Sequence, residues 1–330
     1  MISVVIPCYN EQEVLDALYR RLSAAAESWN EDYEVVLVDD GSVDDTWSII
    51  REIHERDPRW RAVRFTRNFG HQTAVSAGLR HTRGDCVIVM DADLQDPPEE
   101  LIRFIDRWRE GYEVIYAIRR KRKEGILKKV AYKGFYRILG MLSSVTIPYD
   151  SGDFCVLDRK VVDVLNTMPE HNRFVRGLRA WAGFRQVGVP YERDARAAGE
   201  VKYTASKLIR LAIDGIFSFS TTPLRVATYL GLFVSFLCVL GVLVHLVQRI
   251  FADWFTSIGH GPPPGFSTTV VGIFFLGGVQ LICLGVIGEY IGRIYDEVKG
   301  RPLWLTSEVL GDEADEPARD SGGRSGFSRE

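Results

Sequence analysis

The sequence predicts an α/β domain built on a mostly parallel sheet, followed by interfacial amphipathic helices and a two-helix transmembrane hairpin. Three observations carry this. Short β-branched runs alternate with helical stretches through the first half of the chain, a pattern that calls for a parallel sheet covered on both faces. Polar clusters stand at the ends of the predicted strands, where such sheets bind ligands. Two long uncharged stretches, 226–248 and 254–288, lie in the last third, each long enough for a span of about 20 residues.

Residues 2–6 read as a buried strand. Asn10, Glu11, Gln12 and Glu13 open a helix running to about residue 29. A second strand over 33–38 ends at Asp39-Asp40-Gly41-Ser42. The next helix takes Ser42 as cap and Asp45 at its third position. Residues 61–65 form a third strand, 72–80 a helix and 86–90 a fourth strand. Pro7-Cys8-Tyr9-Asn10-Glu11, Arg67-Asn68, Asp39-Asp40 and Asp91-Ala92-Asp93 all sit at strand ends and converge on one rim. Neither a G-x-G-x-x-G fingerprint nor a P-loop lysine occurs, which speaks against a Rossmann dinucleotide site and a P-loop NTPase.

At 330 residues the chain holds one large or two ordinary domains. A net charge of −3 leaves no basic excess for nucleic acid. The five cysteines are scattered without a C-x-x-C pair, and Cys8 and Cys86 fall in or beside apolar strands. Reduced, buried thiols in a reducing compartment are expected. Met1 leads straight into the first strand, so no signal peptide is expected and the N-terminus stays in the cytoplasm.

The chain is organised around residues 86–96. Asp91 and Asp93 follow the fourth strand at alternate positions, and along an extended chain such residues point to the same side. Two hard carboxylates there suit Mg²⁺ or Mn²⁺, which also bind substrate phosphates. Gln95 falls on the same side and adds a neutral carbonyl oxygen. The alternative is a solvated acidic turn. Asp96-Pro97-Pro98-Glu99 reads as a helix start, with Asp96 as N-cap, Pro97 first in the helix and Glu99 as capping-box acid.

Three stretches together resemble the family 2 glycosyltransferases and their nucleotide-sugar-binding GT-A fold. They are Val4-Val5-Ile6-Pro7-Cys8-Tyr9-Asn10-Glu11, Val38-Asp39-Asp40-Gly41-Ser42-Val43-Asp44-Asp45-Thr46 and Met90-Asp91-Ala92-Asp93-Leu94-Gln95-Asp96-Pro97-Pro98-Glu99. The resemblance implies that Pro7, Tyr9 and Glu11 hold the nucleoside, with Asp39 and Asp40 near base and ribose. It implies that Asp91, Asp93 and Gln95 hold the metal on the donor diphosphate. Packing by Tyr9, and helix capping by one of Asp39 and Asp40, are the structural alternatives.

Between Arg119 and Arg137 lies a strongly basic segment whose second half is amphipathic. It suits a helix at an anionic lipid surface or a cleft receiving a lipid phosphate. Here the resemblance narrows to the polyprenyl-phosphate glycosyltransferases and implies that Arg119, Lys129 and Lys133 grip the acceptor phosphate. Asp150-Ser151-Gly152-Asp153-Phe154 resembles the family's Gly-Asp-Phe element. That makes Asp153 catalytic beside Asp93, as base or as an orienting group, because a lipid monophosphate with a second pKa of about 6 is already largely ionised. Residues 171–181 also look like family sequence near the donor. No Gln-x-x-Arg-Trp processivity motif is present, which favours one transfer per cycle. Lys202 stands in a stretch that reads either as a closing loop or as a linker to the membrane.

The expected layout is a catalytic domain over 1–202, interfacial helices over 203–225, the hairpin over 226–295 and a cytoplasmic segment over 296–330 with a disordered end. Lys207, Arg210 and Arg225 precede the first span, and Arg293, Lys299 and Arg301 follow the second. Both termini and the catalytic domain are therefore expected on the cytoplasmic face of the inner membrane. Glycines at 272, 277, 278, 285, 288 and 292 suit close helix packing and a homo-oligomer. The expected reaction is inverting transfer of one hexose from a nucleotide diphosphate sugar to a polyprenyl phosphate. UDP-glucose is the preferred donor, by likeness to two-span bactoprenol glucosyltransferases, with GDP-mannose or an aminoarabinose donor left open. A polymerising synthase and a non-catalytic scaffold are the rivals.

Overall fold

The computed structural model describes residues 1–119, 151–171, 173–192, 222–251 and 266–311. Its centre is an eight-stranded sheet in the order β7-β5-β6-β4-β1-β2-β3-β8. Strands β1 (Ile2–Cys8), β2 (Tyr33–Asp39), β3 (Trp60–Phe65) and β4 (Cys86–Val89) are mutually parallel. Strand β5 (Val114–Arg119) pairs in parallel with β7 (Gln186–Tyr191), while β6 (Ser151–Asp158) runs antiparallel to both β4 and β5.

Consecutive residues of the central strands serve two different cores. Val4, Ile6, Val35 and Leu37 pack with helices α1 (Leu15–Ala26), α2 (Thr46–Arg56) and α4 (Leu101–Arg109) on one face. Val5, Val87 and Val89 pack on the other face against α3 (His71–His81), α5 (Arg159–Thr167) and α6 (Val175–Trp181). That double burial is why these strands read as unbroken apolar runs. Gly78 lets α3 lie directly on β1, since a Cβ there would stand 2.2 Å from Val5 Cγ1.

Several helix starts differ from expectation. Asn10 has a φ of 56°, which a right-handed helix cannot contain, and α1 begins only at Leu15. Asp45, not Ser42, is the N-cap of α2, and it makes no side-chain cap bond. Ser42 Oγ instead accepts from Asn10 N–H at 3.0 Å and ties the first loop to the second. Asp96 is not an N-cap but is buried, with the Tyr191 hydroxyl donating to it. Pro97 has extended backbone ahead of a short 3₁₀ turn (Pro98–Glu100), and Glu99 pairs with Arg21 at 2.8 Å instead of reaching back. Burial of Asp96 under β7 explains the difference, because tertiary packing outweighs local capping.

Helices α7 (Thr222–Ile250) and α8 (Phe266–Val298) follow. Each contains a stretch long and apolar enough to cross a membrane, with 11% and 0% of the most apolar window buried. A core helix of a soluble domain would be covered, whereas Phe233, Phe236, Leu281 and Leu284 are all exposed. Among the described residues nothing stands within 4 Å of where a Cβ would be at the α8 glycines 272, 277, 278, 285, 288 and 292, so they do not mediate close packing against the described side chains of α7. All five cysteines are free, and Cys8, Cys86 and Cys155 are buried. After α8 the chain returns to the sheet as β8 (Thr306–Leu310), antiparallel on β3. Sequence patterning did not anticipate this edge strand. Of the interfacial helices expected over 203–225, residues 222–225 belong to α7; residues 203–221, Lys129, Lys133, Lys202 and the tail beyond 311 lie outside the described residues, as does the side chain of Arg119 at the end of β5.

Candidate active site at the carboxyl edge of the sheet

Strand direction assembles the acidic centre. Because β6 is antiparallel to β4, it begins where β4 ends, and Val89 is registered with Cys155. Continuing two residues past that pair sets Asp91 opposite Asp153. The chain from Asp91 onward is a turn, not an extended strand, with Leu94 at a φ of 55°. Alternation nevertheless survives: Ala92, Leu94 and Asp96 are buried, whereas Asp91, Asp93 and Gln95 are half-buried on the open side. Asp93 Oδ1 accepts from Gln95 N–H at 3.1 Å, which pins the turn.

His71, first residue of α3, stands between the two acids. Its Nε2 lies 3.7 Å from Asp91 Oδ1 and 3.6 Å from Asp153 Oδ2. Burial works against the imidazolium, yet Asp153 and Asp91 outweigh it and raise the His71 pKa. Arg176, in the first turn of α6, grips Asp153 through both carboxylate oxygens, Nε to Oδ1 at 2.6 Å and Nη2 to Oδ2 at 2.7 Å. Burial opposes the charged carboxylate, but the Arg176 charge and hydrogen bonds, with His71 added, hold Asp153 well below the usual range. Gln72 ties α3 to α6 by accepting from Val175 N–H at 3.0 Å and donating to Asp153 at 3.4 Å.

Asp91 goes the other way. Burial raises its pKa, and the neighbouring Asp153, Asp96 and Asp93 add to the rise while His71 opposes it. Among the described residues no trio of His, Cys, Asp or Glu side chains converges as a ready-made metal cage. What stands at the rim is two carboxylates and one amide oxygen on the open side, with an excess of negative charge. Those are hard donors of the kind Mg²⁺ and Mn²⁺ take when substrate phosphates and water complete the shell.

The second part of the site lies across β1, β2 and β3. Tyr9 is exposed beyond the end of β1, and Glu11 N–H donates to Thr46 Oγ1 at 2.8 Å. Asp39 is fully buried and accepts from Ser42 N–H at 3.0 Å. Its other oxygen lies 3.2 Å from Arg64 Nε but receives no directed hydrogen bond. Asp40 accepts from Phe69 N–H and Gly70 N–H at 2.7 and 3.0 Å, so it holds the entrance of α3. Burial raises its pKa against those bonds. Gly41, at a φ of 70°, has Arg67 backbone where a Cβ would be, 2.4 Å away, so only glycine lets these two loops touch.

Sequence reasoning missed His71, Gln72, Arg64 and Arg176 as site residues. His71 and Gln72 lie three and four residues after Asn68 of the strand-end cluster Arg67-Asn68, the one available signal. Arg176 lay inside the 171–181 stretch but was not singled out.

An α/β sheet with acidic loops at its carboxyl edge, joined to two exposed apolar helices, defines the class of membrane-associated α/β proteins. Comparison with known proteins makes the class specific. Residues 3–165 match the model of glycosyl transferase family 2, and residues 222–294 match the GtrB C-terminal hairpin. The uncharacterized glycosyltransferase YkcC of Bacillus subtilis is 44% identical over 94% of this chain and 94% of its own. The bactoprenol glucosyl transferase of Shigella phage SfX is 42% identical over 92% of this chain and 98% of its own. A prophage bactoprenol glucosyl transferase homolog of Escherichia coli is 39% identical over 93% and 99%. The chain belongs to the family 2 glycosyltransferases, and it is a membrane-associated enzyme of GT-A type.

Proposed function

We propose that this chain transfers one hexose, glucose from UDP-glucose, to a polyprenyl monophosphate with inversion at the anomeric carbon. The observation that carries the reading is similarity to bactoprenol glucosyl transferases across nearly the whole chain, hairpin included. In the reaction the bond from the anomeric carbon to the diphosphate breaks and a bond to the acceptor phosphate oxygen forms.

Pro7, Tyr9, Glu11, Asp39 and Asp40 are assigned to the nucleoside, Asp40 through the loop it holds. Asp91, Asp93 and Gln95 would hold Mg²⁺ or Mn²⁺, which when bound offsets charge on the departing diphosphate. Arg119, Lys129 and Lys133 are assigned to the acceptor phosphate and Lys202 to a closing loop. The acceptor is largely ionised at neutral pH, so the attacking oxygen needs no proton removed. Asp153 is clamped by Arg176 and stays ionised, which suits orienting the sugar over taking a proton. With the oxygen held in line, proximity supplies much of the rate.

The basic residues at the outer ends of the hairpin support a cytoplasmic position for both termini and the catalytic domain. The open glycine positions on α8 are assigned to contacts between copies in a homo-oligomer.

The test is transfer from radiolabelled UDP-glucose to undecaprenyl phosphate by membranes containing the full chain. Label enters the lipid phase, and both EDTA and Asp91→Ala abolish it. Label from GDP-mannose but not UDP-glucose would replace the donor. A folded protein giving no label from either would sink the catalytic reading.

A further inference from the structure

The return of the chain to the sheet after α8 places a strand of the C-terminal segment beside the nucleotide half of the site. In-register neighbours share a face of a sheet, and Asp39, Arg64 and Glu308 are registered across β2, β3 and β8. Glu308 accepts from the Trp47 indole N–H at 3.1 Å. The Trp47 ring is buried, and the Arg64 guanidinium lies over it at 5.3 Å from the ring centroid. Arg64 in turn stands 3.2 Å from Asp39 Oδ2, a buried acceptor without a directed hydrogen bond. The strand itself is fastened by Ser307 Oγ donating to the Arg64 carbonyl at 3.2 Å and by Trp304 stacked on Phe65. It also lies beyond residues 3–165 and 222–294, the two stretches that match family models.

From this geometry we infer that Glu308 is a positioning residue for nucleotide binding, acting through Trp47 and Arg64 on Asp39. The physical chain has three links. An indole N–H donating to a carboxylate fixes the plane of the Trp47 ring, because the alternative is a buried donor without a partner. The ring face fixes the guanidinium by cation–π attraction. The guanidinium then balances Asp39 and holds in place the carboxylate assigned to the nucleoside. The inference rests on the proposed nucleotide role of Asp39.

The test uses the full-length protein in detergent micelles, with UDP as the probe, titrated calorimetrically in the presence of Mn²⁺. Glu308→Ala and Trp47→Phe are each expected to weaken UDP about five- to tenfold, the factor for one ordinary hydrogen bond lost. The corresponding rise is in KM for the sugar nucleotide, with kcat within about twofold, because the reacting centre at Asp91 and Asp153 is untouched. Since both variants break one link, the double variant is no weaker than either alone. Glu308→Gln keeps an acceptor oxygen and restores binding. Trp47→Phe keeps the ring in the core, so the inference is testable even where loss of Glu308 unseats β8. Wild-type UDP affinity in Trp47→Phe and Glu308→Ala, alongside weakened binding in Asp39→Ala, would overturn the inference alone. A Gln variant as weak as the Ala variant would overturn the hydrogen-bond route. Unchanged affinity in Asp39→Ala would remove the nucleotide reading beneath it.

Discussion

Asp153 and Asp91 flank His71 yet have opposite electrostatics. Arg176 makes a bidentate pair with the first, whereas the second stands among carboxylates with His71 as its opposing charge. Arg176→Ala frees Asp153 from its clamp. If Asp153 has the catalytic role proposed for it, kcat falls about 100-fold, the cost of misplacing such a group, while Arg176→Lys recovers part of it. Steady-state rates at saturating donor check this. A carboxyl held below its usual range stays ionised through neutral pH. What it contributes is present above the unfolded value of about 3.9 and is lost only as pH falls through the lower folded value. The acidic limb of kcat/KM is therefore expected near the acceptor phosphate pKa of about 6, with a plateau above it. A wild-type pH profile with its limb near 4 would assign it to a carboxylate instead.

At the scale of elements, close approach of α3 to β1 sets His71 and Gln72 at the rim. Gly78→Ala drives a methyl into Val5 and is expected to cost about 1–3 kcal/mol by overpacking. At about 2–4 °C per kcal/mol, a thermal melt detects it. The second device is the antiparallel direction of β6. Had it run parallel to β4, Asp153 would lie at the far edge of the sheet. Strands β1 to β4 were legible because double burial leaves an unmistakable apolar run. The direction of β6 was not legible, since apolar runs carry no sign of polarity, and Asp153 reached the site only through resemblance. Helix starts were misread where side chains met distant partners, as Asp96 meets Tyr191.

The whole molecule joins a soluble sheet to an apolar hairpin through two anchors. Helix α8 has 33 residues, about 50 Å at 1.5 Å per residue against a hydrocarbon core of about 30 Å, so its end projects beyond the hydrocarbon. There Glu297 accepts from His171 N–H at 2.8 Å, a few residues before Arg176, and β8 covers the edge of β3. A chain ending at residue 300 loses β8 and exposes that edge, a template for pairing with other chains. It is expected to aggregate in detergent where the full chain elutes as one species by size-exclusion chromatography.

By itself the sequence determined the alternation of strands and helices, the acidic turn after the fourth strand and the apolar hairpin. Each is written in local periodicity or in uninterrupted composition, which need no knowledge of distant contacts. Only the tertiary structure decided that Arg176 clamps Asp153, that His71 stands between two carboxylates and that a C-terminal strand supports Arg64. These depend on strand direction and on pairs of residues far apart in the chain. Their meeting is fixed by packing of the whole sheet, and no local pattern encodes it.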